Sequence, residues 1–305
     1  MTALGDVLEL QLILFLVMGA GLVLTKLGVI TASGRKCLTD LLIDLILPCN
    51  ILCSFQIERS REILLATLWV LGIACGIQAA CYLLGKWIFC FAPEAQKKVL
   101  QYATMCSNAG FMGNPIIEGL YGAQGLLYGS VYLIPLRFFM WSAGLSCFTK
   151  STPGETVKKL ATHPCILAVF LGFALLLTQW QMPAFLDRTL SYFSACTLPV
   201  SILIVGSILA GVRVRSIFTG MTAYYCAVRL LLVPLLTLAA CRLLGLDALV
   251  TGVCVVLSGM PAGSTTAILA EKYGGDAEYA SKCIFLSTLL SLATIPLLCG
   301  LMAAL

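Results

Sequence analysis

The residues best placed to do chemistry sit in two short polar runs inside otherwise apolar stretches. They are SNAGFMGNP, Ser107 to Pro115, and LSGMPAGSTT, Leu257 to Thr266. Each combines glycines, small polar side chains and one proline, a composition that interrupts an α-helix and frees backbone N–H and C=O groups. Hydrocarbon cannot satisfy such groups, so a broken helix at membrane depth survives only where protein or a polar cavity covers the break. In the first run Asn108 offers an amide that donates and accepts, Gly110 leaves the backbone open, and Asn114 precedes Pro115 in the order of a helix cap and a first helical residue. In the second run Ser258, Gly259 and Pro261 mark the unwinding, while Ser264 and Thr265 supply hydroxyls and a cap for the helix that follows. Two helix N-termini converging on such breaks present positive dipole ends and free N–H groups, which suit an anion and most simply a carboxylate. The alternative is a pair of prolines that kink helices for packing alone.

A few ionisable residues fall at depth. Arg229, five residues before Pro234, either holds a substrate carboxylate or locks onto a carboxylate or freed carbonyls. Arg137 and Glu118 read as structural, with Glu118 also a candidate for ion or proton coupling. Asp40 and Asp44 share a helix face at the i, i+4 spacing; the deeper Asp44 is the proton-coupling candidate or the partner of a base.

These residues need membrane helices to position them. The 305-residue chain is 60% hydrophobic and 11% charged, with a mean hydropathy of +1.00. That composition excludes an ordinary soluble domain. Ten apolar runs follow one another: Leu8–Leu24, Leu41–Ile57, Ile63–Leu84, Val99–Leu120, Leu126–Phe148, Leu160–Trp180, Leu190–Ala210, Ile217–Cys241, Leu249–Ala270 and Ala280–Leu305. Most approach the length of about 20 residues that a spanning helix needs. The first run lacks the basic flank of a signal peptide and is expected to be retained. Sorting the cations by the gaps between runs places every lysine, with Arg35, Arg213 and Arg215, on one side of the membrane. Only Arg59, Arg61, Arg188 and Arg242 fall on the other. The lysine-rich side is cytoplasmic by the positive-inside rule, so both termini are expected outside. The 15 cysteines lie mostly within apolar runs without a C-x-x-C pair, which suits small buried hydrophobes rather than metal ligands. No nucleotide-binding loop, soluble domain or cofactor motif is present, so no cofactor and no nucleic-acid partner is expected.

The halves resemble each other. LILPCNIL around Pro48 answers CTLPVSIL around Pro199, the break at Pro115 answers that at Pro261, Tyr121-Gly122 answers Tyr273-Gly274, and Pro135 answers Pro296, at a nearly constant offset. With five runs in each half, the second half must lie inverted in the membrane. Paired breaks at matching places in inverted repeats mark the substrate site of many secondary carriers. Residues 1–148 therefore read as the first repeat, 149–163 as a cytoplasmic linker and 164–305 as the second repeat.

Four segments carry a family resemblance: Ile46 to Pro48, Asn108 to Pro115, Arg229 to Pro234 in R-L-x-x-x-P, and above all PAGSTTAILAEKYGGDAEYASKCIFLSTLLSLATIPL from Pro261 to Leu297. Over essentially its whole length the chain resembles the auxin efflux carrier family, which includes plant carriers and bacterial permeases for malate or malonate. The resemblance implies an all-α membrane protein of ten transmembrane helices in two inverted five-helix repeats, with broken helices four and nine crossing. It also implies a scaffold from helices 1, 2, 6 and 7, a moving transport domain from helices 3–5 and 8–10, and a homodimer through the scaffold. The long cytoplasmic loop of many plant members is missing, which favours a carrier of the bacterial inner membrane over an auxin-specific one. The expected partners are a small organic anion and the lipid bilayer. An alternative is a sodium-coupled organic anion symporter of the related bile acid type. An intramembrane enzyme is disfavoured, since neither H-E-x-x-H nor G-x-S-x-G occurs.

Overall fold

The structure is a computed structural model that describes residues 4–58, 60–148, 154, 161–210, 218–263, 265–273 and 275–304. Most of the expected linker 149–163 lies outside the described residues, as do Ser264 and the stretch with Arg213 and Arg215. The described residues are mostly helical, and among them the only β-type pairing is one isolated antiparallel bridge between Ser107 and Ala262.

In chain order the helices are α1 (Leu4–Lys26), α2 (Ala32–Ser54), α3 (Arg61–Ile88), α4 (Glu94–Met105), α5 (Ala109–Gly144), α6 (Pro164–Thr178), α7 (Ala184–Leu209), α8 (Gly220–Leu243), α9 (Ala248–Ser258), α10 (Thr265–Lys272) and α11 (Ala277–Ala304). Six of them, α2, α3, α5, α7, α8 and α11, are long and apolar enough to cross a membrane; Leu12–Lys26, α6 and α9 are apolar but shorter. Side-chain caps start several of these helices. Ser60 accepts from the Ile63 N–H, Asp247 from Val250, and Thr219 and Thr222 form a reciprocal capping box.

Helix α5 is two helices in one. A straight run of that length would extend about 54 Å, well past one bilayer core. At Gly122 the backbone leaves the helix, with φ 63° and ψ −157°. A Cβ placed on Gly129 would lie 3.3 Å from Asn114 Oδ1, and one on Gly125 3.2 Å from Ile117. Residues 114 and 129 of a straight helix would be about 22 Å apart. The arms 109–121 and 123–144 therefore lie side by side, running in opposite directions. Glycine is required at the bend for its positive φ.

Three of the π-helical turns share one cause. Leu42–Ile46, Ala109–Gly113 and Val228–Leu232 each end two residues before a proline: Pro48, Pro115 and Pro234. Proline lacks the N–H that would bond the carbonyl four residues back, and its ring collides with that carbonyl. A widened turn relieves the collision without ending the helix. The sequence makes Pro115 the start of a half-helix capped by Asn114, and this expectation needs correction. The helix begins at Ala109 with Asn108 in the capping position, and Asn114 has ordinary helical dihedrals inside it.

The chain between α4 and α5 meets the chain between α9 and α10. The Asn108 N–H donates to Pro261 O (2.8 Å) and the Gly263 N–H to Cys106 O (2.9 Å), while Ala262 N–H reaches Ser287 Oγ (3.1 Å). A Cβ on Gly263 would come within 2.9 Å of Cys106 O, so this close approach excludes any larger residue. Arg229 completes the junction. It is 1% exposed, its Nε donates to Met260 O (3.0 Å) and its Nη1 to Thr104 O (3.3 Å). One turn earlier on α8, Tyr225 Oη donates to Ala103 O (3.1 Å). The last carbonyls of α4, which no intrahelical N–H can reach, are thus bonded from α8 and from the opposite break. Among the described residues its hydrogen bonds to oxygen go to backbone carbonyls, one on each side of the junction.

Elsewhere the tightest packing joins α1 to α7, α2 to α6 and α2 to α7. A Cβ on Gly21 would overlap Leu203 O, and one on Gly206 would overlap Met18 O, so α1 and α7 touch backbone to backbone.

Two consequences are measurable. Gly206→Leu should lose most folded, monodisperse protein in size-exclusion chromatography, because overpacking at a backbone contact costs about 1–3 kcal/mol or more. Gly19→Leu, with nothing within 4 Å of its Cβ position, should behave as wild type. Equal behaviour of the two variants would contradict the contact. Arg229→Lys cannot reproduce two fixed N–H donors, so thermal unfolding in detergent should show a loss of about 1–3 kcal/mol. Tyr225→Phe should lose about 1 kcal/mol.

Candidate functional site

Beside the junction of the two breaks lies a cavity of about 140 Å³. Ser107, Asn108, Gly110 and Phe111 of the first break and Gly263 and Thr265 of the second form one wall. The second arm of α5 contributes Leu133, Leu136, Arg137 and Met140; α2 contributes Ile43 and Leu47; His163 and Cys165 come from the start of α6. Leu133 and Arg137 are one turn apart on one face, and Leu133 Cδ1 approaches the Cβ position of Gly110 at 4.0 Å, which sets that face against the start of α5.

The backbone junction leaves side chains free. Asn108 spends its N–H on Pro261 and its C=O on Met112 (3.0 Å) and Gly113 (3.3 Å), yet its side-chain amide makes no capping bond and has no hydrogen-bond partner among the described residues. Ser107 Oγ is buried without a partner. The N–H groups of Ala109, Gly110 and Phe111 precede the first intrahelical bond of α5 and carry the positive end of its dipole. Thr265 Oγ1 accepts a hydrogen bond from Tyr102 Oη at 3.1 Å. Arg137 is 7% exposed, its Nη1 has no partner, and no carboxylate among the described residues forms an ion pair with it. His163 Nδ1 is likewise buried and unpaired. No acidic residue lines the cavity. Its described walls carry unpaired donors and the Arg137 guanidinium, an arrangement that can hold an anion. Among the described residues no three His, Cys, Asp or Glu side chains gather as metal ligands.

Of the residues singled out from the sequence, Asn108, Gly110 and Thr265 come together on the cavity wall. The others lie behind it or away from it. Asn114 is buried with Oδ1 unpaired against Gly129, and Pro115 is buried beside it. Ser258 Oγ turns back to Val255 O (2.9 Å), Gly259 packs against Leu298 and Pro234, and Pro261 gives its carbonyl to Asn108. Arg229 is engaged with Met260 and Thr104. Ser264 is outside the described residues. Asp44 is exposed on α2, where it shares an open surface cavity with Lys36 and Asp40. Glu118 accepts from Asn50 Nδ2 at 3.3 and 3.1 Å, and the same amide reaches Ser194 Oγ at 2.9 Å, so it belongs to a polar cluster between α2, α5 and α7.

Ser107, Phe111, Arg137 and His163 are wall residues that the sequence reading did not select. The available signal was that His163 is the only histidine and Arg137 one of only two arginines inside an apolar run. Nothing in the sequence tells which of the two arginines lacks a partner.

Comparison with known proteins agrees with this architecture. The family model described as "Membrane transport protein" matches residues 6–299. An uncharacterized transporter of Methanocaldococcus jannaschii is 28% identical, with 96% of each chain covered. One of Methanothermobacter thermautotrophicus is 26% identical over 91% of this chain and 92% of its own. A protein of Rhizobium meliloti named "Putative malonate transporter" is 26% identical over 70% of this chain and 72% of its own. With a match over nearly its whole length, this multi-pass membrane protein belongs to the membrane transport protein family, the auxin efflux carrier family that its motifs resemble.

Proposed function

We propose that the protein is a secondary carrier that moves a small organic anion, a carboxylate, bound at the junction of the two breaks. One observation supports this reading most strongly. Among the described residues, the cavity wall carries the unpaired Ser107 hydroxyl, Arg137 guanidinium and His163 imidazole beside a helix N-terminus, and no acidic residue. An anion would complete those donors; a cation would meet like charge. The name of the Rhizobium meliloti relative, a malonate transporter, points to the same ligand chemistry.

In this reading α4 with the first arm of α5, and α9 with α10, are the fourth and ninth of ten spans, crossing at their breaks. The two five-helix halves are inverted repeats with both termini outside. Helices α1, α2, α6 and α7 form the scaffold, whose mutual packing is the tightest among the described residues, and this scaffold pairs with a second copy in a homodimer. The remaining helices carry the site past that scaffold in an elevator-type exchange of access. The cavity wall is drawn from both groups, as a site must be if it closes when one group slides along the other. Glu118, held by Asn50 across the boundary between the groups, is the better-placed coupling residue, since Asp44 is exposed on the outer face of α2.

Counterflow into proteoliposomes with a panel of labelled mono- and dicarboxylates tests the site. Asn108→Ala should lower uptake at least about fivefold with normal expression, the loss of roughly 1 kcal/mol of hydrogen bonding. Wild-type uptake across the panel would refute the site. Topology is checked in a cysteine-free background. Arg188→Cys should react with an impermeant maleimide in intact cells and Glu94→Cys only after the membrane is opened; the reverse pattern would invert the orientation.

A further inference from the structure

The two buried arginines differ in one respect that decides their roles. Arg229 is nested among carbonyl oxygens of both breaks, with Nε on Met260 O and Nη1 on Thr104 O. Its charge is spread over backbone acceptors that exist whether or not a ligand is present. Arg137 is almost as deeply buried, but its Nη1 meets no acceptor and no carboxylate pairs with it among the described residues. An uncompensated buried cation is costly, and a folded chain retains one only where something else supplies the counter-charge. No acidic side chain among the described residues comes within ion-pair distance of it. Asp44 is exposed on α2, and Glu118 is held by Asn50 in a separate cluster.

Arg137 lines the cavity at the breaks, one turn beyond Leu133, whose Cδ1 approaches Gly110 at the start of α5. His163 lines the same cavity from the start of α6, also with an unpaired buried nitrogen, Nδ1. Around this space therefore stand a guanidinium, an imidazole, the Ser107 hydroxyl and the Asn108 amide, none with a partner for the groups they turn to it. A guanidinium presents N–H groups in a planar fork that matches the two oxygens of a carboxylate.

Resting on the carrier reading above, we propose that Arg137, not Arg229, is the cation that binds the transported carboxylate. His163 is the second donor, contributed from the other helix group. Arg137 thereby sets the charge selectivity of the carrier. Binding also joins the two groups, because the anion bridges a residue of α5 and a residue at the mouth of α6. Arg229 is then a positioning residue, which holds the breaks in register and does not touch the ligand.

The test uses full-length protein in proteoliposomes and detergent, with radiolabelled acetate, malonate and succinate as probes and their neutral amides as competitors. For an acid that the wild type carries, Arg137→Gln should raise the half-saturating concentration at least tenfold and abolish the preference for acid over amide. Arg137→Lys should fall between, and His163→Asn should give a smaller rise. Because Arg137→Gln removes an unpaired buried charge, its melting temperature without ligand should equal or exceed that of the wild type. Stabilisation by the acid, clear in the wild type, should vanish in this variant. A lowered melting temperature or a loss of folded protein in Arg137→Gln would make the residue structural and overturn the proposal. Unchanged half-saturation in Arg137→Gln beside a defective Asn108→Ala would overturn it and leave the carrier reading standing. Wild-type behaviour of both variants, or a wild-type protein that neither carries nor is stabilised by any of the three acids, would remove the carrier reading as well.

Discussion

Hydrocarbon offers no hydrogen-bond partner to a peptide group, and this constraint governs the centre of the molecule. Two helices stop at depth, at Met105 and Ser258, and the chain there leaves the carbonyls of Ala103, Thr104, Cys106, Met260 and Pro261 to be bonded from outside the helical ladders. The structure meets the deficit by letting the breaks serve each other, Asn108 to Pro261 and Gly263 to Cys106, and by sending Tyr225 and Arg229 from α8 to the rest. Each of these bonds replaces an unsatisfied buried group that would cost about 1–3 kcal/mol. Much else follows from the geometry this pairing demands. Gly263 has no room for a side chain, and α8 must pass close enough for an arginine to touch both breaks at once.

The same constraint explains why the prolines do not dismantle the fold. Pro48, Pro115 and Pro234 each follow a widened turn rather than a gap, so the helix continues past the missing N–H. The helices stop instead at Cys106–Asn108 and at Gly259–Gly263, where each break bonds the other. Close helix contact is handled differently. Gly21 and Gly206 let α1 and α7 meet at the backbone, in the part of the molecule that packs most tightly.

The architecture was legible in the sequence to the extent that it follows from composition and from the placement of breakers. Long apolar runs, short connections and paired polar interruptions announced membrane helices broken at two matching places, and the structure puts those interruptions in contact. Details that depend on neighbours in space were not legible. Asn114 and Pro115 have the form of a cap and a first residue, yet the helix starts at Ala109, because a π turn absorbs the proline. Asp44 has helical spacing but faces outward, since nothing local reveals which side of α2 is covered. The bend at Gly122 was visible only as a Tyr-Gly pair repeated in the second half.

The arginines show where sequence reasoning stops and why geometry is needed to continue. Both lie in apolar runs, and Arg229 lies close to a proline break in sequence, which drew attention to it. A charge at depth is informative only through what neutralises it. Carbonyl oxygens on both sides of the junction accept from Arg229, so its donors are engaged by the backbone. Arg137 faces a cavity together with His163, Ser107 and Asn108, and none of these side chains competes for its N–H groups. Rigidity of the backbone and availability of the side chains are linked here. Because the breaks satisfy each other through main-chain atoms, the polar side chains at the junction are released from structural duty. Side chains placed this way are held in register by the backbone while several of their own hydrogen-bonding groups stay unpaired among the described residues.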